Sequence, residues 1–392
     1  MMVRPVDFSA INARSTGNAL SIPRGGASYN FQVTPFRLIV ALLAVLSLAA
    51  GASAQIDPKA AFLERDGFRA LEAGDLALAA DSFRQGLAID PKNARLHLGA
   101  GIAAFLDRRD SDAKAALERA LAIDPALVTA RELLAQALKR LGDLAGAIRT
   151  LDALVVSNQA SAEAREALDR WRRELDLHDR MAQAVGNHFT VSFEGPQELE
   201  LATRALESLD KAYWRIGEAL ATYPSSPISV VLYTREQFHD ITRSPDWAAG
   251  AYDGTIRVPM RGALEKGEEL DRVLAHEFVH ALVRTLAARG VPTWLNEGLA
   301  AAFEDAGGAW AEEQIAKAGG AMPLRLLTTS FGRLSGREAQ LAYASSARAA
   351  RQLIDEAGGV AVANLLRDLG NGEDFEAAFL HRIHRPFADF AR

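Results

Sequence analysis

The triplet Ile-Asp-Pro returns at Ile56–Pro58, Ile89–Pro91 and Ile123–Pro125, at intervals of 33 and 34 residues. A period of this length constrains the fold strongly, because a unit that short holds only two helices and cannot bury an apolar face without a neighbour. The register returns at the turns: Gly74-Asp75 and Gly142-Asp143 stand 68 residues apart, with Arg109-Asp110 near the middle. Apolar spacing within each unit predicts a helix pair: Ala60–Ala73 with Leu76–Ile89, a pair in Asn93–Ile123 and a pair in Leu127–Val156. Ala79, Ala80, Ala113, Ala115 and Ala147 are small enough to let paired helices approach closely. A helix over Ala160–Leu177 is expected to cap the third unit, which meets the requirement for stacked units with a closing end.

The period, the paired helices and the small-residue turns resemble tetratricopeptide (TPR) repeats, here over residues 55–180 as three units plus a capping helix. Such a solenoid commonly binds an extended peptide or protein partner on its concave face, which Arg69, Arg95 and Arg131 would line. The other reading is a brace packed against the rest of the chain.

A second signal lies downstream. His276-Glu277-Phe278-Val279-His280 sits in a stretch of helical period, Leu270–Arg284, that has neither Gly nor Pro. Side chains four apart on a helix project from one face, so the two imidazoles can share one divalent ion, with Glu277 beside it to take a proton from its water. Val273, Leu274, Phe278, Ala281 and Leu282 would bury this helix. A catalytic zinc takes three protein ligands and keeps one position open. The chain has no cysteine, so its ligands must be histidine or carboxylate. Gly290 and Pro292 end the first helix, Thr293 is the expected N-cap of a second, and Glu297 on that second helix follows His280 by seventeen residues, enough for an antiparallel return.

His276-Glu277-x-x-His280 together with Trp294-Leu295-Asn296-Glu297-Gly298 is similar to the gluzincin metallopeptidases, the thermolysin and M1 aminopeptidase clan, and most similar to the peptidase MA-like domains that often accompany tetratricopeptide repeats. The likeness runs over about residues 186–385 and includes His188–Val191, Pro227–Tyr233, Trp247–Pro259 and Tyr343–Ser346. It implies one Zn2+ per chain on His276, His280 and Glu297, with Glu277 as general base and later acid. It also implies that Gly250, Ala251 and Tyr252 belong to an edge strand just before the metal helix, where an extended substrate adds main-chain hydrogen bonds. Tyr343 is the implied donor to the oxyanion, with Tyr252 as competitor. Two departures stand out: the segment between His280 and Glu297 is slightly shorter than in the best-known members, and Ala301 occupies the place of the acid four residues after the ligand Glu. Glu304, seven residues after Glu297 and on the same helical face, is a candidate for that role.

The fold expected is multidomain, an all-α TPR solenoid followed by an α+β thermolysin-like metallopeptidase domain over residues 186–392. After a linker near Met181–Asn187 the pattern predicts a strand at Phe189–Phe193, a helix at Glu198–Leu220, a buried strand at Ile228–Tyr233 and a hairpin at Gly250–Pro259. A Gly-rich loop region at Gly307–Gly336 follows, then helices at Gln340–Glu356, Val360–Leu369 and Asp374–Leu380. His97, His178, His188 and His239 read as solvated or structural, and His381 and His384 as lacking an acid partner.

Ahead of all this, Arg37, the apolar run Leu38–Ala50 and Ala52-Ser53-Ala54 make a signal peptide cleaved after Ala54, which implies a periplasmic or secreted protein, or a membrane-anchored one if cleavage fails. Over its 392 residues the chain is 49% hydrophobic and 24% charged, the composition of a soluble globular protein. Its net charge is −6. Removing residues 1–54 leaves 40 basic and 49 acidic residues, a net −9. With no basic run, nucleic-acid binding has no electrostatic support. The expected function is an exported zinc peptidase. The alternatives are a TPR interaction or scaffold protein with an inactive metal domain, and zinc-dependent hydrolysis of another bond.

Overall fold

The computed structural model describes residues 57–244, 248–259, 267–304, 308–331 and 334–391. The expected signal peptide with its cleavage site after Ala54, as well as Trp247 and Gly307, lies outside them. Among the described residues no helix is long and apolar enough to cross a membrane.

The N-terminal region is three helix pairs and a cap: α1 (Pro58–Ala73) with α2 (Leu76–Ile89), α3 (Ala94–Leu106) with α4 (Asp110–Ile123), α5 (Val128–Arg140) with α6 (Leu144–Val156), then α7 (Ala162–His178). Asp57, Asp75, Asn93, Asp143 and Ser161 each accept a first-turn N–H and so start helices α1, α2, α3, α6 and α7. Stacking rests on one position repeated every 34 residues. Ala79, Ala113 and Ala147 are fully buried, and Phe83, Leu117 and Leu151 fill the core four residues later. Phe83 lies between Gly67 of its own unit and Gly99 of the next, where an added Cβ would stand 2.6 Å and 2.3 Å from its ring. Ala115, by contrast, is exposed.

The second region is built on a five-stranded sheet of order β1-β2-β3-β5-β4: β1 (Ala182–Val185), β2 (Phe189–Phe193), β3 (Ile228–Tyr233), β4 (Ala251–Tyr252) and β5 (Ile256–Pro259). The three central strands are parallel, and β1 and β4 pair antiparallel at the two edges. Alternation along the strands sorts side chains to two faces. Val230, Leu232, Ile256 and Val258 join the main core with α8 (Leu199–Leu220) and α10 (Gly267–Leu286). Val231 and Tyr233 face the other way, where they pack with Phe238 and Ile241 of α9 (Arg235–Thr242) and with Leu177 of the cap α7. The cap α7 and helix α9 therefore pack on the back of the sheet.

The remaining helices are α11 (Thr293–Glu304), α12 (Ala309–Ala318), α13 (Gly336–Ala357), α14 (Gly359–Gly370), α15 (Phe375–Ile383) and α16 (Phe387–Phe390). The architecture is thus a helical repeat region followed by an α+β region. It departs from expectation in four places. The linker near Met181 holds strand β1. The strand just before the metal helix, β5, is interior, and the edge is the two-residue β4. The Gly-rich stretch after Gly307 contains α12. Thr293, finally, is the first residue inside α11, its hydroxyl donating to the Thr328 carbonyl at 3.1 Å.

Candidate metal centre

Helices α10 and α11 run antiparallel and carry the chemistry between them. His276, Glu277 and His280 on α10 and Glu297 on α11 are 1%, 1%, 4% and 2% exposed. Glu297 Oε2 lies 3.9 Å from His276 Nε2 and 3.6 Å from His280 Nε2. One ligand atom from each of these three residues falls within 4.8 Å of the others, so a single ion could be shared. The expected ligand set is brought together.

The outer nitrogens explain why both Nε2 atoms face inward. His276 Nδ1 donates to Glu304 Oε2 at 3.1 Å, and His280 Nδ1 donates to Asn296 Oδ1 at 3.2 Å. A neutral imidazole that donates from Nδ1 carries its lone pair on Nε2, the atom a metal takes. Glu304 does reach His276, and it is itself held by Arg272 Nη1 at 3.3 Å. Asn296 and Arg272 were not singled out from the sequence, although Asn296 lies inside the quoted motif next to Glu297.

The electrostatics fit a cation. Glu277, Glu297 and Glu304 bury three carboxylates close together, and the partly exposed guanidinium of Arg272 stands beside Glu304. Clustering buried carboxylates is costly and favours protonation or an added positive charge. Burial first, then Glu297 and Glu304, push the Glu277 carboxyl up to about 8. Burial opposes charge on His276, but the hydrogen bond and charge of Glu304, aided by Glu277 and Glu297, raise it to about 9, so a metal taken on Nε2 would displace a proton. Burial and the neighbouring His276 lower His280 to about 3. Glu277 Oε2 has no hydrogen-bond partner. Histidine and carboxylate donors in this number suit zinc.

The expected substrate segment is only partly at the cluster. Gly250 presses on Glu277, where an added Cβ would stand 2.5 Å from Oε1. Ala251 is buried and paired with Arg257 of β5. Tyr252 lines a cavity of about 320 Å³ with Pro224–Ser229, Gly254 and Thr285, whose walls include none of the clustered residues. Tyr343, on α13, is buried with its ring 5.1 Å from that of Phe331. Burial, then the carboxylates of Glu297, Glu277 and Glu304, hold its hydroxyl in the protonated, donating form. Helix α13 comes this close because Gly298 faces the Ser346 carbonyl, 2.4 Å from where a Cβ would stand.

Four of the other histidines make contacts within the fold. His178 bonds the Tyr233 hydroxyl, His239 the Ser244 carbonyl, His97 the Pro91 carbonyl, and His188 stacks on Tyr213 beside Asp210. His381 does have an acid neighbour, Asp368 at 3.8 Å, in an exposed group with Glu373. Of the arginines expected in a groove, Arg69 and Arg95 pair with Asp66 and Glu64, and Arg131 donates to the Pro125 carbonyl.

Residues 70–126 match the family model of the tetratricopeptide repeat. Among solved structures, the first TPR of Spaghetti (RPAP3) bound to the HSP90 peptide SRMEEVD is similar at 22% identity and a TM-score of 0.30, over 32% of this chain and 99% of that one. No curated protein matches the chain. The matched residues run from the end of α1 through α4, so a tetratricopeptide repeat lies within the N-terminal helical region, whose other helix pair is TPR-like in its arrangement.

Proposed function

We propose that residues 186–392 form a gluzincin-type, thermolysin-like zinc hydrolase acting on peptide bonds in an exported protein, and that the repeats in front of it bind a protein or peptide. The observation that carries this reading is the buried convergence of His276 Nε2, His280 Nε2 and Glu297 Oε2, with both imidazoles tethered from behind. When bound there, zinc supplies a Lewis acid that polarises a carbonyl and activates water near neutral pH. The chain's own groups do the rest. Glu277 accepts the nucleophile's proton and returns it to the departing amine, from a buried carboxyl whose Oε2 has no hydrogen-bond partner within the protein. Tyr343 keeps its proton and donates to the oxygen that gains charge. Gly250 leaves room for the base by having no side chain.

Glu277→Gln should abolish hydrolysis of a peptide library while the protein still holds about one zinc per chain. A mutant that kept its peptidase rate would refute the role of Glu277.

A second reading has its own support. The family match lies in the repeats, which favours a protein-interaction scaffold whose metal region is inactive or hydrolyses another bond. Purified chain that carries no zinc and takes none up would decide for the scaffold.

A further inference from the structure

The repeat array and the hairpin that abuts Glu277 meet in a buried ionic cluster that neither region completes alone. Glu174 on α7 and Arg257 on β5 are 1% and 5% exposed. Arg257 Nη2 reaches Glu174 Oε1 at 2.7 Å, Nε reaches Asp253 Oδ1 at 3.1 Å, and Nη1 donates to the Tyr233 hydroxyl at 2.6 Å. From the repeat side, Lys139 Nζ on α5 stands 3.3 Å from Glu174 and 3.7 Å from Asp253. Two acids thus balance two bases across the boundary. Burial alone would neutralise Glu174, but Arg257 and Lys139 outweigh it and hold the carboxyl below its ordinary range. A buried pair of this kind is costly to break from one side, because the partner is left charged and unpaired.

Strand pairing carries the grip to the site. Arg257 is in register with Ala251, the neighbour of Gly250, and Gly250 is the residue that touches Glu277. The hairpin turn also leans on the repeats. Gly254 has φ +115°, and a Cβ there would lie 3.5 Å from the Arg140 carbonyl at the end of α5. A second link takes the metal helix. Asp110 at the start of α4 meets Arg140 at 3.0 Å and Arg284 of α10 at 3.5 Å, and Arg289 pairs with Asp107. One repeat array therefore anchors both the hairpin and the helix that carries His276, Glu277 and His280.

We infer that Glu174 and Arg257 are positioning residues: through them the repeats hold the β4–β5 hairpin against Glu277, so the repeat array is a working part of the catalytic region. What the hairpin is positioned for rests on the hydrolase reading, whereas its placement is measurable without turnover. The test is amide hydrogen exchange on full-length wild type, Glu174→Gln and Lys139→Met, with zinc affinity measured in parallel. Lys139→Met is the milder change, since Lys139 is partly exposed, and it decides if Glu174→Gln does not fold. Exchange over residues 250–258 should quicken about tenfold or more while β2, β3 and α10 keep their protection and zinc affinity stays within about twofold. In a chain that cleaves peptides, Glu174→Gln should also raise KM about tenfold with little change in kcat. Unchanged exchange over residues 250–258, or protection lost evenly across sheet and repeats, would overturn the inference. Local quickening in a protein that cleaves nothing would support the clamp and remove the hydrolase reading.

Discussion

Gly250→Ala is a sharp test of the site, because it adds one methyl at the point where the hairpin meets the base. An ideal Cβ at this position falls 2.5 Å from Glu277 Oε1 and 2.9 Å from its Cδ and Cγ, while ordinary contact begins at 3.4 Å. The oxygen must then retreat by the difference, about 0.9 Å. A displacement of about 1 Å in a reacting group costs on the order of 100-fold in rate, or about 2.7 kcal/mol of barrier. Stability should change less than activity, because the atoms in the way include the end of a side chain that can swing rather than a backbone. The assay is kcat/KM on the best peptide found for wild type, with zinc content and thermal unfolding measured on the same samples. Gly336→Ala serves as the control, since a Cβ there meets nothing within 4 Å. The expected result is a loss of about 100-fold in Gly250→Ala with about one zinc retained, and wild-type behaviour in the control. Activity in Gly250→Ala within about twofold of wild type would refute the placement of Glu277 as the base.

Two further outcomes follow from the surroundings of the cluster. Glu304→Ala removes the acceptor that orients His276 and should weaken zinc binding by roughly 10- to 100-fold in a chelator competition, and unchanged affinity would show that Glu304 does not orient the ring. The boundary cluster sets an acid limit on stability. Burial resists charge on Glu174 and Asp253, yet Arg257 and Lys139 hold both below their ordinary values. Groups depressed in the folded state contribute fully above their unfolded values, about 4, and lose that contribution as pH falls through the lower folded ones. The cluster's contribution to the melting temperature should therefore be constant above about pH 4 and be lost below it, so the acid-side drop is less steep in Glu174→Gln than in wild type. Parallel pH profiles for the two would exclude Glu174 as a contributor.

What could be read in advance was local. The repeats announce themselves because each unit buries a small residue at the same register, Ala79, Ala113 and Ala147, and turns recur beside them. His276 and His280 needed only one helix to be paired, and Glu297 one more. Missing from view was whatever depends on distant chain. Strand β1 is an exposed edge with no alternation to betray it. The interior position of β5 follows from its pairing with β3 on one side and β4 on the other, which no local pattern encodes. The Glu174–Arg257 pair joins residues 83 apart, and each alone looks like an ordinary charged residue on a helix or a strand.

The tether of His276 shows how packing decides which position of a helix can orient an imidazole. Along α11 the contacts run from Asn296 to Glu304 while along α10 they run backwards, from His280 to His276 and on to Arg272. In that antiparallel register the residue beside Glu297 meets the second imidazole, and only a residue further along α11 can meet the first. Position 301 lies one turn past Glu297 and is Ala, packed with Ala311, Ile315, Ala344 and Ala347 in an apolar cluster beneath α12 and α13. A carboxylate there would enter that cluster without a charge partner. Position 304 lies nearly two full turns on, about 20° from the direction of Glu297, and so returns to the face of the imidazoles with Arg272 within reach. The tether to His276 is thus supplied from a site where its charge is balanced, and Ala301 is free to serve the packing of α12 and α13 instead.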